Sequence, residues 1–142
     1  MTWSACWPHP SQVVLPQVLQ VVGELEAAAF GAQAALDAVV GPLDRALRAE
    51  AAGAPLAEAE VDAVYTAVYA AQQVIARAAL DAATRLFEVG GASATLRTRG
   101  LDRHWRNARV LASHNPLIYR ARLLGDRAVN GTPLGRHYRL GG

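Results

Sequence analysis

From Leu15 onward, apolar residues return every three or four positions for most of the chain. That period permits little except long helices packed side by side. Leu15, Leu19, Val22, Leu25, Ala29, Leu36, Val39, Leu43 and Leu47 mark one stripe and predict an amphipathic helix from Pro16 to Glu50. Gly41-Pro42 falls inside it, and a proline there cannot donate to the carbonyl four residues back, so a kink is expected. "AAGAP" breaks the pattern at Ala51–Pro55, and "LAEAEVDAV" opens a second helix with acids where the helix dipole favours them. Its stripe runs through Val61, Val64, Tyr65, Val68, Ile75, Ala79, Ala82 and Leu86, and Gly90-Gly91 should end it.

Shorter pieces follow. Leu101, Trp105, Ala108 and Leu111 mark one face of a third helix, with Asp102 as a plausible N-cap and "HNP" as its stop. Asn115 as cap and Pro116 at the first helical position then start a fourth segment, ending near Val129 before the Asn130-Gly131 turn. No stretch reads as a strand. The pattern predicts an all-α antiparallel bundle over residues 15–131, between an unstructured leader (1–14) and a flexible tail (132–142).

Composition narrows the function classes. A chain of 142 residues that is 52% hydrophobic is long enough for one packed core. Cys6 is the only cysteine, which excludes an internal disulfide and a cysteine-based zinc site and suits a reducing cytoplasm. The first residues lack the basic start of a signal peptide, and Pro8, Pro10 and Pro16 interrupt any apolar run long enough for a membrane span.

Charge divides the chain unevenly. Residues 1–96 hold four Arg against ten acids, residues 97–142 ten Arg against two acids, and there is no Lys. The basic part must face an anion, a partner or the acidic half of its own fold. Arg103, Arg106 and Arg109 share one side of a helix and, with Arg97 and Arg99, could track phosphates, but no nucleic-acid motif surrounds them. Tyr65 and Tyr69, one turn apart, read as ligand-lining or as core-edge residues, with the second the commoner role. His114 stands between two helices, just before a cap. There the positive end of the following helix dipole favours a neutral ring, though a histidine at such a place is often structural.

The run "LFEVGGASATLRTRGLDRHWRNARVLASHNP" resembles the C-terminal helical domain of the acyl-CoA dehydrogenase superfamily. It is most similar to the flavin-dependent monooxygenase branch that includes dibenzothiophene monooxygenase and sulfur-acquisition oxidoreductases. The resemblance implies part of a four-helix bundle and a site for FAD or reduced FMN. Gly90 and Gly91 match two glycines that approach the flavin dinucleotide of a neighbouring subunit; Phe87 stands where dehydrogenases often carry Gln. His114-Asn115-Pro116 falls where dehydrogenases place their catalytic Glu and where the monooxygenase branch has His-Asp-Pro. Asn115 has no useful basicity, so dehydrogenation by that route is not expected. His114 matches the His beside flavin and substrate, while Leu111 replaces a second family His.

The family's preceding α-helical and β-domains, and its first bundle helix, have no room in this length. The chain alone is therefore expected to be inactive and to hold one wall of a flavin site. A flavoprotein partner or self-association would complete it. The competing reading is a helical interaction module kept for oligomerisation, with an Arg-rich nucleic-acid binder third.

Overall fold

The computed structural model describes residues 15–114 and 116–134. Four α-helices follow one another among them: α1 (Pro16–Ala51), α2 (Glu58–Gly90), α3 (Asp102–His114) and α4 (Leu117–Asn130). Short 3-10 turns at Gly91–Thr95 and Arg97–Arg99 carry the chain from α2 to α3. No strand occurs among the described residues. This is the expected all-α arrangement.

The α1–α2 hairpin is the frame. The Glu60 carboxylate reaches back to accept the Ala57 N–H at 3.1 Å, which ties the first turn of α2 to the loop before it. Glu24 and Arg85 bridge the other end of the hairpin. α2 is the central helix, in contact with α1, α3 and α4, and it carries the buried Tyr69, Ala71 and Ala83. Small residues along it let its neighbours approach closely.

α1 ends one residue beyond its predicted limit at Glu50. It continues as one helix through Pro42, the position at which a kink is expected. Pro42 packs in a shallow cleft with Leu56, Glu60, Ala63 and Val64, so contact with α2 outweighs the local cost of the missing donor. The apolar stripe has the right period but too little to bury it. Leu25 and Val39 are buried, whereas Leu19, Leu36, Leu43 and Leu47 remain exposed because α1 packs chiefly on α2.

The last two helices differ from expectation in detail. Asp102 is the first residue of α3, not its cap, and its carboxylate pairs with Arg106 one turn on. Trp105 and Leu111, expected on the packed face, are exposed, whereas Ala108 and Ala112 of α3 are half-buried and share a cavity with α2 residues. Pro116 serves as the N-cap of α4, so the helix starts one residue later than predicted. The expected cap at Asn115, the leader and residues 135–142 lie outside the described residues. Gly131 ends α4 at φ 72°, a left-handed conformation that favours glycine. Beyond it the bundle continues to Leu134, which is 1% exposed, although residues 132–134 were expected in the tail.

Among the described residues, no helix is long and apolar enough to cross a membrane.

Candidate functional site

Two cavities open between α2 and the shorter helices. One of about 550 Å³ has Ile75, Ala76 and Ala79 of α2 as its floor and Ala108 and Ala112 of α3 as a wall. Leu117 closes one side, and His114, Gln72 and Arg120 supply its polar groups. The second, about 370 Å³, lies toward α1 and carries His104 on its margin. Both share Ile75, Ala79 and Ala108, so they form one trough. An apolar trough with a few convergent polar groups is the usual form of a small-molecule site.

His114 reaches this trough from the last turn of α3, not from a loop between helices. It therefore stands at the negative end of the α3 dipole. The side chain is exposed. What fixes the neighbourhood is Gln73, whose Nε2 donates to the Leu117 carbonyl at 2.8 Å and holds the start of α4 on α2.

Gly90 and Gly91 stand elsewhere. Along α2, Gln72 and Gly90 are roughly 27 Å apart at the α-helical rise per residue, and neither glycine borders the trough. A Cβ on Gly90 would lie 2.8 Å from the Ala94 Cβ, so the chain's own 3-10 turn already requires that glycine. Gly91 adopts φ 57° and ψ −156°, a region nearly closed to other residues, and nothing lies within 4 Å of where its Cβ would be. Its backbone is open to a ligand or a partner. The sequence-predicted residues thus form two separate surfaces.

Tyr69 is buried, with its ring centroid 6.1 Å from that of Tyr65 in a tilted arrangement. It is part of the core, and Arg120 lies over its ring at 5.3 Å from the centroid. Gln72 and Arg120 were not singled out in the sequence, yet they border the groove and hydrogen-bond to each other. The available signal was an arginine three residues after Leu117, on the stripe that α4 packs against α2. The basic set is only partly neutralised. Arg106 pairs with Asp102, while no ion pair among the described residues engages Arg97, Arg99, Arg103 or Arg109.

Residues 16–117 match the family model described as acyl-CoA dehydrogenase, C-terminal domain, and the chain belongs to that family. It is similar to a protein of Pseudomonas putida described as a probable FMNH2-dependent monooxygenase, SfnC. The two are 36% identical over 115 residues, which cover 81% of this chain and 28% of that protein. It is also similar to dibenzothiophene monooxygenases. That of Mycolicibacterium goodii is 40% identical over 57 residues, 40% of this chain and 14% of that one. That of Rhodococcus erythropolis is 41% identical over 54 residues, 38% and 13% of the two chains. The chain therefore spans only a small part of the length of these relatives.

Proposed function

We propose that this domain forms one wall of the flavin and substrate pocket of an FMNH2-dependent monooxygenase, the remaining walls coming from the other domains of the family. The observation that carries the reading is His114 on the rim of an apolar groove of about 550 Å³ between α2, α3 and α4. A flat aromatic ring system suits such a surface, because alanines at Ala76, Ala79, Ala108 and Ala112 leave room beside the helix backbones. Gly91 would serve a second flavin, or the distant end of a dinucleotide, through its open backbone. Gly90 supports Gly91 by letting Ala94 pack closely.

Reduced flavin, when bound, would supply the electrons for oxygen transfer. His114 would hold or deliver a proton at an imidazole nitrogen, and the alanine walls would exclude water. FMNH2 is the favoured form, since the Pseudomonas putida relative carries it in its name; FAD is the second candidate. The relatives of Mycolicibacterium goodii and Rhodococcus erythropolis are named for dibenzothiophene, which points to organosulfur compounds as the substrate class. A reducing cytoplasm fits a chain whose only cysteine is Cys6.

The test is reconstitution. The chain is co-expressed with the amino-terminal domains of an FMNH2-dependent relative and assayed for sulfoxidation of dibenzothiophene with FMN and a flavin reductase. Oxygenated product that requires both polypeptides supports the reading. A stable complex that binds reduced FMN but forms no product from any organosulfur substrate would leave only the inactive interaction module.

A further inference from the structure

We propose that Arg120 makes the groove beside His114 a site for organic oxyanions, small molecules with a flat apolar body and a carboxylate, sulfinate or sulfonate head. The role of such a molecule as substrate or product rests on the monooxygenase reading; the binding itself does not.

Arg120 is half-buried on the packed side of α4, where two cavities meet. With Gln72 it borders both the His114 groove and a further cavity of about 510 Å³ walled by Leu47, Val61, Tyr65 and Val68. Its Nη1 donates to Gln72 Oε1, and its guanidinium carbon lies 5.3 Å from the Tyr69 ring centroid. Among the described residues no carboxylate pairs with it; Glu50 borders the further cavity without forming an ion pair.

Arg127, seven residues on, provides the contrast. It is also on the packed side, and it has Asp62. Taking a cation out of water is costly unless an anion or several acceptors receive it. One amide oxygen and one ring face meet only part of the demand of a guanidinium with five N–H donors. The donors left over form a planar fork, which suits a head bearing two or three oxygens. The apolar floor of Ile75, Ala76 and Ala79 lies alongside and would take the body. A charged head at Arg120 and an apolar body along α2 would place the molecule between Arg120 and His114.

The experiment is calorimetric titration of the full chain with no flavin present. The probes are benzenesulfinate and benzoate, their neutral counterparts methyl phenyl sulfone and benzamide, and inorganic phosphate as a head without a body. The anions should bind one per chain and about tenfold or more tighter than the neutral compounds, the size expected of a charge-assisted pair. R120Q should erase that contrast. Equal binding of neutral and charged probes overturns the proposal, and so does phosphate binding as tightly as benzenesulfinate. FMN displacing benzenesulfinate while riboflavin does not would assign the head to the cofactor and overturn the substrate-side assignment. If R120Q loses its helicity, the contrast within the unaltered chain and its decline with added salt decide instead. No turnover enters, so a failed oxygenation assay and a failed titration are separate results.

Discussion

Arg127 Nε lies 2.8 Å from Asp62 Oδ2, across 65 residues of sequence, and the other oxygen of the same carboxylate accepts the Leu134 N–H at 2.6 Å. One side chain on the first turns of α2 therefore holds both the end of α4 and the segment after it. Leu134 is 1% exposed, so this clasp closes over an apolar plug. It anchors the end of α4 farther from the groove, while Gln73 anchors the nearer end through Leu117.

The clasp makes stability depend on acid. Burial alone would raise the Asp62 pKa, but the Leu134 N–H and the Arg127 guanidinium together bring it below its ordinary 3.8. The folded chain then binds fewer protons than the unfolded chain between the two values. The stabilisation is whole above the unfolded value and is lost as pH falls through the folded one. Asp62→Asn should cost about 1–3 kcal/mol at pH 7, since it removes a charged partner from Arg127. Its unfolding midpoint should also change less than that of the parent between neutral pH and the acid range below 3.8. Parallel acid dependences in chemical denaturation of the two proteins would show the clasp to be inert.

The two glycines should fail for different reasons. Gly90→Ala brings its methyl to 2.8 Å from the Ala94 Cβ, so the 3-10 turn must shift. Ala94→Gly should relieve it, and the double variant should recover most of the lost melting temperature. Gly91→Ala meets no atom but is strained at φ 57° and ψ −156°, at a cost of about 1–3 kcal/mol that Ala94→Gly does not relieve. Thermal denaturation of the three single and two double variants distinguishes a clash from backbone strain. Full rescue of Gly91→Ala by Ala94→Gly would contradict this account.

Long-range architecture was legible where one period ran unbroken. The limits of α1, to within one residue, and the glycine stop of α2 follow from local chemistry alone, and the structure agrees with both. Burial was less legible, because a stripe states which face seeks a partner and not whether one is there. Leu19 and Leu47 show this at 58% and 57% exposed. The clasp was hidden for a related reason: Asp62 sits among acids at the head of α2, and nothing local distinguishes the one that meets Arg127 and Leu134. His114 was found through its motif, whereas Gln72 and Arg120 are 48 residues apart in sequence and meet only when α4 folds back on α2.

Replacing His114 tests the site without testing the fold. Its side chain is exposed at the end of α3, so His114→Ala should keep its helicity and unfolding midpoint. In the reconstituted enzyme, turnover should fall about a hundredfold or more, the usual size of a general acid–base contribution. Retained helicity with unchanged turnover would reduce His114 to a rim residue.

The exposed face of α1 carries the last expectation. Leu19, Phe30, Leu36, Val40 and Leu47 are between 44% and 77% exposed, an apolar surface that isolated domains rarely leave wet. The same helix bears Glu26 and Asp37, which form no ion pair among the described residues, and neither do Arg103 and Arg109 on α3. A second copy meets both needs if α1 of one chain lies along α3 of the other. A two-fold pairing would repeat that contact twice. The purified chain should therefore show a concentration-dependent mass in sedimentation equilibrium at micromolar levels. Added salt should weaken the association by screening the exposed charges. Leu36→Glu should shift it toward monomer without loss of helicity, because Leu36 contributes little to the fold of its own chain. A single species of monomer mass across that range, at low salt, would assign the α1 face to another polypeptide.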